Sequence, residues 1–297
     1  MDSAKILTAR IVLLTILLSG MLLVPAAVLL AKMLISRLSL FQTGVRAIAA
    51  GDFTTRLPVD SEDELGAFAE GFNHMAQGLE QRERMKHFVS EQVWAEVRKE
   101  DKQSLALGGE KCATAILFSH IHGFDAFIGR NSPDAVVDLL NAYFTGMDEA
   151  VRAQHGSIDK LIGDAVMAVF HEVSDRPSPA LRAVKAAQGM LAREDELNRC
   201  RRERGESAIR TDIGIHFGTV ISGKIGSEHG LIDFTVIGDA VNTAARLQSH
   251  AAGQASRSII VSAAVQNSAL DGFTWVALPS ATVKGKSEKL EVFRLDG

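Results

Sequence analysis

Ser157-Ile-Asp-Lys-Leu-Ile-Gly-Asp-Ala-Val-Met-Ala-Val-Phe-His171 is the stretch on which the reading of the C-terminal part of the chain turns. Two apolar runs, Leu161-Ile162 and Ala165 to Phe170, flank Gly163-Asp164. Gly-Asp pairs supply the backbone angles of a tight turn, so the spacing predicts a β-hairpin of two buried strands with Asp164 at its tip. A carboxylate there stays ionised and can hold a divalent metal through oxygen. Taken alone, the stretch is served equally well by Asp164 as a plain turn former.

Working outward, strand-like runs at 114–118, 158–162, 165–170, 213–216, 219–222, 232–237, 258–262, 273–277 and 290–294 alternate with helical segments near 133–153, 177–196, 239–250 and 262–269. That mixture predicts an α+β or α/β domain built on one sheet. The basic run Arg201 to Arg204 reads as a solvated connector. Lys160, Asp164, Thr235, Asn242, Arg246 and Lys284 fall at or near element ends. Cations, a carboxylate, an amide and a guanidinium at such positions are the groups a triphosphate site uses: Arg and Lys neutralise phosphate oxygens while a carboxylate holds the metal. Lys284-Gly285-Lys286-Ser287 contains Gly-Lys-Ser, but the upstream glycine a P-loop requires is Ser280 and no helix is predicted to follow, which excludes that motif.

The other end of the chain is of a different kind. Of 297 residues, Ile11 to Ala31 form 21 without a charge. As a helix they span about 31 Å, close to the bilayer core. The run exceeds the roughly 7–15 apolar residues of a signal peptide, so it predicts a single membrane anchor. The formal net charge of −4 does not point to nucleic acid as a partner. Cys112 and Cys200 have no disulfide or metal spacing and read as reduced thiols.

After the span, Leu34, Leu38, Phe41, Val45 and Ile48 recur at heptad spacing, and Gly51-Asp52 breaks the pattern. A second seam, Leu65, Phe68, Phe72, Met75 and Leu79, follows a connector holding Pro58. Ser61 and Glu64 have the spacing of a capping box at its start. Each helix alone exposes a narrow apolar stripe, which predicts a dimeric four-helix bundle. Gly-Asp after the first helix, Asp63-Glu64-Leu65 opening the second, and Phe72-Asn73-His74-Met75 within it resemble a HAMP signalling domain. Charged residues 80 to 102, with Met85, Phe88, Val89, Val93 and Val97 at helical spacing, predict a coupling helix.

The C-terminal segments together resemble the catalytic domain of the class III nucleotide cyclases. The resemblance rests on Leu107-Gly-Gly-Glu leading into Ala115-Ile-Leu-Phe, on Ile121-His122-Gly123-Phe124, on the Lys160 to Phe170 hairpin, on Phe234-Thr-Val-Ile-Gly-Asp-Ala-Val-Asn-Thr-Ala-Ala-Arg246 and on Val283-Lys284-Gly285-Lys286. It implies residues 1–31 as tail and transmembrane helix, 32–84 as a HAMP domain, 85–106 as a coupling helix or linker, and 107–297 as a ferredoxin-like α+β cyclase domain. Such a domain works as a head-to-tail dimer with ATP at the interface. In the family two metal ions, magnesium or manganese, activate the ribose 3′-hydroxyl and stabilise the α-phosphate. The resemblance puts Asp164 at one metal position. Lys160 and Thr235 read the base, lysine going with adenine and threonine standing in for aspartate. Asn242 and Arg246 orient the ribose and stabilise the phosphorus, Lys284 binds the triphosphate, and Gly123 and Phe124 form the phosphate turn. Because ATP is cytosolic, the catalytic domain is expected on the cytoplasmic side of the cell inner membrane.

Two positions depart from the family. His120 stands where the first metal aspartate belongs, and Asp125 where threonine is usual. Imidazole is a poor ligand for magnesium and adds no negative charge. Asp125 is one candidate to supply the missing charge from a shifted position. Two readings follow: an adenylate cyclase that is weak or prefers manganese, and a regulatory pseudo-cyclase that dimerises, with itself or with a metal-complete cyclase.

Overall fold

The computed structural model describes residues 2–85, 107–227, 232–269, 272–281 and 290–296. The chain divides into two compact units, Met1–Phe88 and Val89–Gly297.

The N-terminal unit is two helices. α1 runs without a break over Asp2–Ala49, and α2 covers Glu64–Met85. Large apolar side chains from Leu13 to Leu29 stand exposed along α1. The span expected over Ile11–Ala31 lies in this helix, with the side chains of residues 11, 12 and 30 outside the described residues. Among the described residues no helix is long and apolar enough to cross a membrane. Leu57, Ala69, Phe72 and Ala76 form a small core against Phe41 and Ile48. Leu38, Val45, Phe68 and Met75 remain exposed, so only part of each seam is covered within one chain. The connector is held by Asn73, whose amide accepts from Leu57 N at 2.7 Å and donates to Leu57 O at 2.8 Å. The start of α2 differs from expectation. Asp63 Oδ1, rather than the Ser61 hydroxyl, accepts the amides of Leu65 and Gly66, both at 3.1 Å, because a carboxylate is the stronger acceptor for orphan donors. The expected coupling helix lies outside the described residues beyond Met85.

The C-terminal unit is a single sheet with helices on both faces. Its elements are β1 (Gly108–Ile121), α3 (Phe124–Ile128), α4 (Pro133–Ala153), β2 (Ser157–Ile162), β3 (Ala165–His171), α5 (Pro179–Glu203), β4 (Thr211–Gly226), β5 (Ile232–Ile237), α6 (Asp239–Ala252), β6 (Ser258–Ser262), α7 (Ala263–Ser268), β7 (Thr274–Ala281) and β8 (Leu290–Asp296). The strand order is β2-β3-β1-β4-β6-β8-β7, with β5 paired to β4. Its first half is a βαββαβ unit, antiparallel throughout, which is the ferredoxin-like arrangement.

Strand alternation sends Ala115, Leu117 and Ile121 to one face, where Tyr143 and Met147 of α4 and Ala183, Ala187 and Met190 of α5 bury them. Ile116 and Phe118 face the other way, against Val220, Val236 and Ala240 and Ala244 of α6. The strands expected at 213–216 and 219–222 are one continuous strand, β4, paired with β1 along its length. The intervening Gly218 is no turn. A Cβ there would lie 3.1 Å from Ala240 Cβ, so this glycine admits α6 to the sheet. Helix α5 also outruns its expected end. Arg201 is buried in it, with its guanidinium 5.5 Å from the Phe127 ring centre, bonded to Ser207 O at 2.8 Å and paired with Glu206 at 2.8 Å. The stem and these partners make the supposed solvated loop part of the fold.

Candidate active site

The hairpin forms as expected: β2 and β3 pair with Ile162 opposite Ala165, and Gly163, the first turn residue, takes φ +63°. Of the two, β3 is buried. β2 lies at one edge of the sheet, and Leu161 and Ile162 are exposed, which corrects the expectation of two buried strands. Asp164 is fixed at the turn by the amide of Ile121, which donates to Oδ2 at 3.1 Å. The same oxygen lies 3.2 Å from His120 Nε2, so the strand end and the turn converge. His120 Nδ1 is buried with no hydrogen-bond partner among the described residues.

This pair tests which metal the site could take. Two neighbouring ligands on one six-coordinate ion sit about 3 Å apart, so the His120–Asp164 spacing fits one ion that tolerates nitrogen, manganese being the natural case. It does not fit the two magnesium ions of the family pattern, which need a second carboxylate. Among the described residues no group of three His, Cys, Asp or Glu side chains could hold a metal. Asp125 is exposed on α3, and no hydrogen bond or ion pair among the described residues joins its carboxylate to His120 or Asp164. The idea that Asp125 supplies the missing charge finds no contact to rest on.

The groups expected to read a base come together in one chain. Lys160 pairs with Asp233 of β5, and its ammonium is 3.8 Å from Asp159 Oδ2. Thr235 Oγ1 donates to Asp159 Oδ2 at 2.7 Å. Both Asp159 and Thr235 are buried. Burial pushes the Asp159 carboxyl above the ordinary carboxylate range, while the Thr235 hydroxyl and the Lys160 charge pull it back and Asp233 pushes it up. Neither Asp159 nor Asp233 stands out in the sequence. Alternation puts residues 159 and 160 on opposite faces, but pairing shifts between Ile158 and Lys160, leaving Asp159 as an extra residue in a β-bulge. A bulge leaves no composition signal. The adjacent Asp-Lys beside an edge strand is the only available hint.

Asn242 and Arg246 lie one turn apart on α6, neither of them buried, while Ala240, Ala244 and Leu247 of the same helix are. Gly123 leads the chain from β1 into α3, and Phe124 is buried and stacks at 6.3 Å on Phe127. Lys284 lies outside the described residues. His122 carries no role in the sequence reading beyond its place in the turn. Its Nδ1 is 2.8 Å from Asp212 Oδ2, tying the phosphate turn to the start of β4.

Comparison with known proteins gives a consistent set of likenesses. Residues 109–297 match the adenylate and guanylate cyclase catalytic domain model, and residues 29–81 match the HAMP domain model. An adenylate cyclase of Anabaena cylindrica is 30% identical over 282 residues, which is 91% of this chain and 56% of that enzyme. The solved adenylyl cyclase CyaB of P. aeruginosa is 27% identical with a TM-score of 0.60 over 64% of this chain and 97% of that one. The solved guanylyl cyclase Cya2 is 28% identical with a TM-score of 0.59 over 64% of this chain and 95% of that one. The chain spans 37% to 56% of the length of the curated relatives it matches.

Proposed function

The chain belongs to the adenylate and guanylate cyclase family, with a HAMP domain ahead of the catalytic domain, and from that footing we propose that it is a membrane-anchored adenylate cyclase converting ATP to 3′,5′-cyclic AMP and pyrophosphate. The observation that carries the choice of ATP is the link of Lys160 to Thr235 through Asp159, across β2 and β5. Lys160 offers a donor and Thr235 an acceptor, matching the ring nitrogen and exocyclic amine of adenine.

In this reading the ribose 3′-hydroxyl gives up its proton to solvent, its oxygen attacks the α-phosphorus to form the new O3′–P bond, and the bond to the β-phosphate oxygen breaks with its electrons leaving on pyrophosphate. Asn242 orients the ribose. Arg246 faces the negative charge that grows on the phosphorus oxygens, a role suited to a fork of donors. Lys284, Gly123 and Phe124 belong to the triphosphate side. His120 and Asp164 would hold the divalent ion, which would supply Lewis-acid charge when bound; the family works with magnesium or manganese. Exposed Ile221, Ile225 and Ile237 on β4 and β5, with Leu161 and Ile162 on β2, support a homodimer in which one copy lends Asp164 and the other lends Asn242 and Arg246. The uncharged run Ile11 to Ala31 in the sequence is the ground for placing an anchor in the inner membrane, with the catalytic domain on the cytoplasmic side. HAMP then relays regulation to the catalytic pair.

His120 favours a second reading, a pseudo-cyclase that regulates or pairs with a metal-complete cyclase. ATP conversion by the purified chain, with magnesium and manganese side by side, separates the two. The enzyme reading expects turnover with manganese above that with magnesium, and His120→Asp raising the magnesium rate by about tenfold or more. No turnover and no ATP binding with either metal, and no gain from His120→Asp, sinks it in favour of the regulator.

A further inference from the structure

We propose that Asp159, held in the β2 bulge, is the positioning residue that makes this site select ATP over GTP, by fixing which way the Thr235 hydroxyl points its proton. The inference rests on the adenylate cyclase reading and goes to how its base pocket discriminates.

A threonine hydroxyl is both donor and acceptor, so alone it greets the amine of adenine and the carbonyl of guanine equally well. An aspartate in its place accepts only. Here the hydroxyl proton is committed, because Thr235 Oγ1 donates to Asp159 Oδ2 at 2.7 Å. What Thr235 has left to offer is lone pairs. The other carboxylate oxygen, Asp159 Oδ1, is buried with no hydrogen-bond partner among the described residues, which adds a second unmet acceptor to the same unit. Acceptors suit the exocyclic –NH2 of adenine, while the O6 of guanine would face lone pairs with no proton between. Lys160, 3.8 Å from Asp159 Oδ2, completes the pattern with a donor.

The bulge is what makes this possible. In a regular strand Asp159 and Lys160 would point to opposite faces. The slip in pairing between Ile158 and Lys160 lets both reach β5, Asp159 to Thr235 and Lys160 to Asp233. Burying a carboxylate with one oxygen unpartnered among the described residues costs the fold stability.

The test compares ATP and GTP affinity, by calorimetric titration, for the full chain, for Asp159→Asn and for Asp159→Asn with Thr235→Asp. Asparagine keeps the shape and can donate to Thr235, which releases the hydroxyl proton toward the ligand. The expected result is an ATP preference of about tenfold or more in the native chain, its collapse toward parity in Asp159→Asn, and its return in the double variant, where the carboxylate introduced on β5 accepts without help. In turnover, Asp159→Asn should raise KM for ATP with kcat little changed. An unchanged ATP-to-GTP ratio in Asp159→Asn overturns the inference and leaves the cyclase reading standing. So does an equal loss of both nucleotides that the double variant does not repair, since that marks a purely structural carboxylate. A native chain that binds neither nucleotide overturns the functional reading itself, and this one with it.

Discussion

Asp159 is 7% exposed, and burial is the main reason its carboxyl titrates above its ordinary value of 3.8. The groups around it are Thr235 and Lys160, which lower the value, and Asp233, which raises it. A carboxyl whose pKa is higher folded than unfolded holds its proton more firmly in the folded state. Its ionised form therefore subtracts from stability at pH above the folded value, and that deficit disappears as pH falls below 3.8. Asp159→Asn is expected to raise the melting temperature at pH 7, with the gain shrinking to nothing in acid below about pH 4, read by thermal unfolding across a pH series. A residue that weakens the fold is one of the usual marks of a site. Lys160, Thr235 and Asp164 stood out in the sequence by their place at element ends and by the family resemblance. Asp159 was not, because its importance comes from a break in strand alternation that only pairing reveals.

At the scale of elements, α6 is held against the sheet by the absence of side chains. A Cβ on Gly214 would fall 2.0 Å from Gln248 N and 2.6 Å from the Leu247 carbonyl carbon, both backbone atoms that cannot give way. Gly214→Ala is expected to cost about 3 kcal/mol or more and to lower turnover, because α6 carries Asn242 and Arg246. Gly218→Ala, whose nearest contacts are the side-chain atoms Ala240 Cβ and His216 Nε2, both at 3.1 Å, should be the milder of the two; denaturant unfolding and cyclase assay of both variants check the order. The hairpin, the helices and most strands were legible because their periodicity is strong. The unity of β4 was not, since Gly218 reads as punctuation in a sequence and acts as clearance in the fold. Nor was the last turn of α5, where Arg201 looks like a surface charge until Phe127 and Glu206 are seen beside it.

For the whole molecule, a site shared between copies makes a sharp prediction. Asp164→Ala and Arg246→Ala each remove one side of both sites in a homodimer, so each variant alone should be inactive. Mixed in equal amounts and allowed to exchange, about half the dimers carry one intact site of two, and activity should return to about a quarter of the native level. No recovery on mixing, with exchange verified by size or cross-linking, would show that the two sides act within one chain. The bare-backbone seat of α6 on Gly214 and Gly218 bears on how such an assembly could be throttled. A helix pressed onto peptide planes has no slack, so the arm bearing Asn242 and Arg246 works as a fixed jaw. In the proposed dimer the moving jaw is the opposite copy, and an upstream stimulus would set the turnover rate by sliding one protomer past the other, leaving each interior unaltered.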